Sequence, residues 1–226
     1  MCIKQPRIVF RIEIATLSNP DGRLNIKKMD RLAMLISNLR NSGKEILVVT
    51  SGAIALGTEK LNLPKQPSSL IEMQATAAIG QAGLIRFYQD QFAIYNQIVA
   101  QVLLPSDIMD NEIRVENARN TFNTLLDMNI IPVINENDPV STIDIELDDN
   151  YPLALNVAKI TGADIIIIKM DANGSYSILP KGGNKGILTK DDLNCTKTRR
   201  SLQTSRINTQ PKISLSQLKR SILKFR

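Results

Sequence analysis

Apolar runs of strand length recur along the chain and alternate with longer amphipathic segments of helical period. The runs predict five strands, at residues 7–14, 45–50, 98–104, 130–134 and 163–168. The amphipathic segments predict helices, at residues 25–41, 70–92, 107–128 and 153–160. Because strands that alternate with helices favour parallel pairing, the pattern predicts an α/β fold, a three-layer αβα sandwich with a mostly parallel central sheet.

Polar side chains follow the fourth predicted strand directly. The apolar run that ends at Ile134 passes into Asn135, Glu136, Asn137 and Asp138. Parallel sheets gather ligand-binding groups at the carboxyl ends of their strands, so the segment indicates a site for a small polar ligand. An Asx-rich turn that caps the next element has the same composition, and both interpretations stay open at this point.

Two further strand ends carry comparable groups. The second predicted strand runs into Ser51, Gly52 and Ala53, small residues whose amides can face an anion at the start of a helix. The fifth predicted strand is followed by Met170 and Asp171. Because the carboxyl ends of parallel strands meet at one edge of the sheet, the three loops are predicted to converge on one site.

Composition sets the broad class. The chain has 226 residues, 43% of them hydrophobic, which predicts one buried core and one domain, over residues 1–190. No stretch reaches membrane-spanning length and residues 1–5 lack the build of a secretion signal, so a cytoplasmic protein without membrane contact is expected. Cys2 and Cys195 are interpreted as ordinary thiols.

Much of the net charge of +6 comes from the end of the chain, where residues 197–226 carry nine Lys or Arg and no Asp or Glu. Residues 191–226 are therefore predicted to form a basic C-terminal tail. A basic tail can bind nucleic acid. Without interleaved aromatic residues a solvated terminus is the favoured interpretation, and nucleic acid is not an expected partner.

Histidine is absent, which excludes histidine-based nucleophilic and acid-base machinery and histidine-ligated metals. A reaction whose nucleophile is already ionised needs no protein base, and a free glutamate carboxyl group titrates near about pH 4.3. Phosphoryl transfer to a carboxylate satisfies this restriction.

Several segments together resemble the glutamate 5-kinase family, with the run Pro-Val-Ile-Asn-Glu-Asn-Asp at residues 132–138 among them. The matching segments are residues 22–25, 49–54, 74–81, 98–104, 117–121 and 132–138. The resemblance covers residues 7–180 and implies an amino acid kinase fold. It also implies L-glutamate as substrate, ATP and Mg²⁺ as cofactors, glutamyl 5-phosphate as product in the first step of proline biosynthesis, and a homo-oligomer.

The resemblance also implies roles for individual residues. Ser51, with the amides of Gly52 and Ala53, would hold glutamate, and Asp138 would pair with its ammonium group. The remaining implied substrate contacts are Asn135, Asn137 and Asn150. Catalytic roles fall on Arg11 and Asp149, and nucleotide contacts on Arg11, Met170 and Asp171. No residue of the chain is implied as a metal ligand.

The chain departs from the family on the nucleotide side. Arg11 stands in place of a lysine, and Glu13 replaces a glycine of the phosphate loop, which adds bulk and negative charge where phosphates approach. Tyr151 replaces an aspartate, and the family's later nucleotide-binding Gly-Thr-Gly-Gly-Met segment has no counterpart. An alternative hypothesis is therefore a catalytically impaired amino acid kinase homologue that acts as a glutamate-binding or regulatory subunit.

Overall fold

The computed structural model describes residues 6–19, 24–140, 150–170 and 176–180. Asp149, Asp171, both cysteines and the predicted tail lie outside these ranges. The strands are β1 (Arg7–Ile12), β2 (Glu45–Thr50), β3 (Val99–Leu104), β4 (Ile131–Glu136), β5 (Ile165–Met170) and β6 (Tyr176–Pro180). The helices are α1 (Ile14–Leu17), α2 (Ile26–Asn41), α3 (Ala53–Lys60), α4 (Leu70–Ala93), α5 (Glu112–Asp127) and α6 (Tyr151–Thr161).

The strands form one sheet in the order β3-β4-β2-β1-β5-β6. β1 to β5 pair in parallel, and only β6 runs antiparallel, against β5. In the register Ile12 lies opposite Thr50, which brings the carboxyl ends of β1 and β2 to the same level. The predicted mostly parallel α/β sheet is confirmed.

Helices cover both faces of the sheet because successive strand residues point to opposite sides. On β1, Ile8 and Phe10 pack with the helices α2 and α4, whereas Val9 packs with α5 and α6. β2 repeats the alternation with Ile46 and Val48 on the first side. The apolar residues therefore form two cores, one on each side of the sheet, as a three-layer αβα sandwich requires.

The helices α3 and α4 approach each other closely enough that glycine is required at the contact. A Cβ atom built on Gly80 would lie 1.7 Å from the backbone oxygen of Ala53, and one on Gly57 would lie 2.0 Å from that of Thr76. The start of α3, next to the Ser51 turn, is therefore held directly against α4.

Several predicted boundaries were wrong. β1 ends at Ile12 and not at residue 14, because the chain turns there and the amide of Thr16 bonds the carbonyl of Glu13 to begin α1. The third strand begins at residue 99, and the helix predicted over residues 107–128 divides into a 3-10 turn and α5. The division falls at Asn111, whose side chain accepts from the amide of Arg114 and caps α5.

β6 was not predicted. Its five residues follow a polar loop and form a short antiparallel edge strand, whose pairing with β5 depends on a long-range contact that local periodicity does not report. Within the described part of the chain, no helix combines the length and hydropathy needed to cross a bilayer.

Candidate substrate site

The turn from β2 to α3 forms one wall of the candidate site. Gly52 is the N-cap residue of α3, with a φ of 103°, a left-handed conformation that favours glycine, and α3 starts at the next residue. The amide of Ser51 donates to the carbonyl oxygen of Ile12 at 3.3 Å, which ties this turn to the end of β1. The amides of the first helical turn have no partner within a helix, so they point their N–H groups toward any anion bound there.

Asn150 joins the ends of β2 and β4. It occupies the N-cap position of α6, yet its side chain makes no capping hydrogen bond. Its Nδ2 instead donates to the backbone oxygen of Thr50 and, at 2.7 Å, to Oδ1 of Asn135. The first turn of α6 tolerates Pro152 because the amide at that position would lack a helical partner. The side chain of Asn150 therefore connects the ends of β2 and β4 and does not cap α6.

Gln81 of α4 contacts the end of β4 at the same edge of the sheet. Its Nε2 lies 3.1 Å from the backbone oxygen of Glu136 and 3.4 Å from Oδ2 of Asp138. The sequence analysis gave this residue no role, although a signal was present. Ala77, Leu84 and Tyr88 lie at helical spacing from Gln81 and are buried, so a polar residue in their row must find a partner inside the protein.

Tyr88, also on α4, contacts Thr50, the last residue of β2, from the core. Its hydroxyl lies 2.9 Å from Oγ1 of Thr50, deep in the core. Burial raises the pKa of Tyr88 above its ordinary value, and the hydrogen bond to Thr50 opposes the shift only in part. The phenol therefore stays neutral at physiological pH and holds Thr50 as a fixed hydrogen-bonding neighbour of Ser51.

Three buried polar atoms at this edge lack a hydrogen-bond partner among the described residues: Oγ of Ser51, Nδ2 of Asn135 and Oε1 of Gln81. A small cavity touches Gln81, Asn135 and Thr50. An unsatisfied buried polar group costs about 1–3 kcal/mol, so three in one place indicate a site completed by a ligand. A hydroxyl and an amide N–H₂ suit a carboxylate, whereas an amide oxygen suits a donor such as ammonium.

The structure brings most of the predicted substrate residues together. Asn150 connects Asn135 to Thr50, the residue before Ser51, and Gln81 contacts Asp138. Asn137 follows on the backbone, where its amide donates to the carbonyl oxygen of Leu104 at 2.9 Å. The ends of the second and fourth strands meet as the sequence predicted, whereas Asp171 of the third loop lies outside the described residues and the roles of the individual side chains stay predictions.

Of the residues predicted to contact a nucleotide, the side chain of Arg11 is described. Nη1 of Arg11 lies 2.7 Å from Oε1 of Glu13, and both side chains are largely buried. The two substitutions noted in the sequence thus form an ion pair, so the positive charge of Arg11 is already balanced by a carboxylate. Met170 is the last residue of β5, and Asp149 and Asp171 fall outside the described ranges.

No group of three or more His, Cys, Asp or Glu side chains suited to a metal ion occurs in residues 6–19, 24–140 and 150–164. Mg²⁺ is usually held by one or two carboxylates together with substrate phosphates, so a dedicated protein cage is not needed for it.

Glu136, at the end of β4, is a second carboxyl group with an altered acidity. Desolvation by burial raises the pKa of Glu136, and a side-chain hydrogen bond with Ser106 opposes this shift. The folded protein therefore binds the Glu136 proton more tightly than the unfolded chain does. Stability falls as pH rises from the unfolded pKa, near about 4.3, toward the higher folded value.

We predict that Glu136→Gln raises the melting temperature more at pH 7 than at pH 4.5. At pH 7 the variant removes the desolvation cost of an ionised carboxylate, whereas at pH 4.5 the carboxyl group is more protonated and that cost is smaller. The backbone oxygen that accepts from Gln81 is retained in this variant. Thermal melts at the two pH values measure the effect. Glu59→Gln, at an exposed position on α3, is the control and should change the melting temperature little at either pH. An equal shift for Glu136→Gln at both pH values would contradict the assignment.

Comparison with known proteins places these residues in context. A model of the amino acid kinase family matches residues 15–194. The chain is similar to the protein named glutamate 5-kinase from Listeria innocua serovar 6a, with 42% identity over 178 residues, covering 77% of this chain and 64% of that relative. It is also similar to the glutamate 5-kinases of Enterococcus faecalis, at 42% identity and 66% of the relative's length, and Clostridium perfringens, at 39% and 70%. The chain thus spans about two thirds of the length of these curated relatives.

Proposed function

The chain belongs to the amino acid kinase family. We propose that it transfers the γ-phosphoryl group of ATP to the γ-carboxylate of L-glutamate. The product would be glutamyl 5-phosphate, at the start of proline biosynthesis. One observation carries the proposal: the unsatisfied atoms at the sheet edge, on Ser51, Asn135 and Gln81, are complementary to an amino acid with one anionic and one cationic group.

The proposed binding mode uses the two ends of this site. A substrate carboxylate would accept from the hydroxyl of Ser51, from Nδ2 of Asn135 and from the amides at the start of α3. Asp138, which is buried next to Gln81, would pair with the substrate ammonium group. Asn150 would act through Asn135 and Thr50, whose positions it fixes by hydrogen bonds.

The proposed chemistry needs little from the protein beyond positioning. The attacking γ-carboxylate is ionised at neutral pH, so no general base is required, in agreement with a chain that has no histidine. Phosphoryl transfer is accelerated by in-line alignment and by stabilisation of charge on the transferred group. Among the described residues Arg11 would lie toward the phosphates, and Mg²⁺, which neutralises phosphate charge, would enter with ATP.

A second function is favoured by one observation, the ion pair between Arg11 and Glu13. Because this pair has no net charge, the phosphate side attracts a nucleotide less than a free cation would. Under this alternative the chain binds glutamate but turns it over slowly or not at all, and acts as a glutamate-binding or regulatory subunit.

Calorimetry with L-glutamate and with ATP and Mg²⁺, followed by an assay for glutamate-dependent ADP release, separates the two functions. The kinase should bind both ligands and release ADP, whereas the glutamate-binding subunit should bind glutamate alone. If neither ligand binds to the folded protein, both functions are wrong.

Asp138→Asn tests the proposed ammonium contact. We expect glutamate affinity to fall by about tenfold to a hundredfold, because a hydrogen bond to a charged partner contributes about 1.5–3 kcal/mol. Asp90→Asn is the matched control, since Asp90 is an exposed aspartate on α4 whose ion pair with Arg86 lies on the surface. An unchanged glutamate affinity in Asp138→Asn, measured by calorimetry on a folded variant, would argue against the proposed orientation of the substrate.

A further inference from the structure

The side-chain amide of Gln81 has a fixed orientation. Both groups that face one end of the amide, the backbone oxygen of Glu136 and the carboxylate of Asp138, are hydrogen-bond acceptors. Only the N–H₂ end of an amide can donate to them, and a flipped amide would place three oxygens together. Oε1 must therefore point away from Asp138, and its position is determined by contacts that do not involve a ligand.

This orientation leaves a buried acceptor without a partner among the described residues. Gln81 is only 6% solvent-exposed, and its Oε1 has no hydrogen-bond partner among the described residues. The residue lines a small cavity whose wall also includes Asn135 and Thr50. The apolar side chains around this atom cannot satisfy it, whereas a ligand N–H or an ordered water can.

The charges around Oε1 determine which donor it suits. Asp138 lies within hydrogen-bond reach of the same amide, so a cation placed next to Oε1 would also lie near a carboxylate. An ammonium group has three N–H donors and can contact both acceptors at once. Asn135 lines the same cavity, and its Nδ2 is a donor that would repel an ammonium group.

We propose that Gln81 is a specificity-determining residue that contacts the substrate, with Oε1 accepting a hydrogen bond from the α-ammonium group of the amino acid. This inference rests on the proposed function and names a further contact in the same site. Through its Nε2 the same side chain also holds Asp138 in the position where Asp138 meets that ammonium group. Gln81 thus selects α-amino acids over dicarboxylates of the same length that lack the amine.

The experiment compares L-glutamate with glutarate, which has the same carbon chain and no amino group. Calorimetry on the full chain should show that the unmodified protein prefers glutamate. Gln81→Met keeps the length of the side chain and removes its polar atoms. It should reduce glutamate affinity by about tenfold or more and leave glutarate affinity nearly unchanged, so the preference between the two ligands falls.

A matched control lies on the same helix. Gln91 is also on α4 and has a buried Oε1 without a partner among the described residues, but it is ten positions further along, about 15 Å from Gln81 along the helix axis. Gln91→Met should therefore leave the ratio of glutamate to glutarate affinity unchanged. Gln81→Asn is the second variant: it keeps an amide but withdraws the amide oxygen by one methylene group, so the ratio of glutamate to glutarate affinity should fall, by less than in Gln81→Met.

The outcomes are distinct. A lower ratio in Gln81→Met and in Gln81→Asn, with the ratio retained in Gln91→Met, supports the proposal. If Gln81→Met weakens both ligands equally, or neither, while the unmodified protein binds glutamate, the role of Gln81 is wrong and the proposed function stands. If the unmodified protein binds glutamate no better than glutarate, both are wrong. Should Gln81→Met fail to fold, an unchanged ratio in Gln81→Asn overturns the proposal.

Discussion

Gly80→Ala is expected to destabilise the protein by about 3 kcal/mol or more, at or beyond the upper end of the usual range for an overpacked core. The added methyl carbon would lie 1.7 Å from the backbone oxygen of Ala53. A backbone carbonyl at the start of a helix cannot rotate away as a flexible side chain can, so α3 and α4 must separate. For a domain of this size the melting temperature should fall by about 6–12 °C, as thermal unfolding measures directly.

Gly83→Ala is the control for this prediction. Gly83 lies on the same helix one turn later, and a Cβ atom there would meet nothing within 4 Å. Alanine has a higher helix propensity than glycine, so this variant should be neutral or more stable, by up to about 1 kcal/mol. Equal destabilisation by both variants would mean that the loss comes from glycine chemistry in α4 in general, and not from the contact with Ala53.

The same contact connects stability to the site. Gly80 precedes Gln81, and the carbonyl it meets belongs to Ala53, the first residue of α3 after the Ser51 turn. If α4 moves away from α3, Gln81 moves away from Glu136 and Asp138 as well. A Gly80→Ala protein that still folds should therefore bind glutamate less tightly than the unmodified protein, whereas Gly83→Ala should not.

A local change of pattern located the carboxyl ends of β2 and β3 correctly, whereas β1 was predicted two residues too long and β4 and β5 each two residues too short at this end. Ile134 is apolar and the residues after it are polar, and parallel sheets place such ends at one edge. The pairing of Asn150 with Asn135 and with the carbonyl of Thr50 could not be predicted in this way. Asn150 lies at a helix start, where an Asx residue is normally interpreted as a cap, and only the fold brings the end of β2 next to it.

The ion pair between Arg11 and Glu13 could have been predicted. Two residues apart in an extended segment, their side chains point to the same face, and opposite charges there attract. The sequence analysis treated Glu13 only as a group that repels phosphate and did not consider its spacing from Arg11. The structure shows instead that Glu13 follows the last strand residue and turns toward Arg11.

Glu13→Gly should raise the affinity of the chain for ATP with Mg²⁺ by about tenfold to a hundredfold. Like charges about 4 Å apart repel each other by about 4 kcal/mol at an effective dielectric constant near 20, and solvent screening reduces this energy. The part that remains corresponds to the expected change in affinity. The variant removes the carboxylate, makes room for phosphate and leaves the Arg11 guanidinium to interact with the nucleotide. Glu13→Gln, which removes the charge but keeps the bulk, should gain less, and Arg11→Lys combined with Glu13→Gly restores the residue types of the family.

Stability and affinity should change in opposite directions in Glu13→Gly. Arg11 is buried, so loss of its carboxylate partner lowers the melting temperature of the free protein. Bound ATP supplies a new anion, and the increase in melting temperature on addition of ATP and Mg²⁺ should therefore be larger than in the unmodified protein. Glu116→Gln, which breaks an exposed ion pair with Arg119 on α5, is the control and should change neither quantity appreciably. If calorimetry finds the same ATP affinity in Glu13→Gly as in the unmodified chain, Glu13 does not limit nucleotide binding, and the ion pair is a structural feature only.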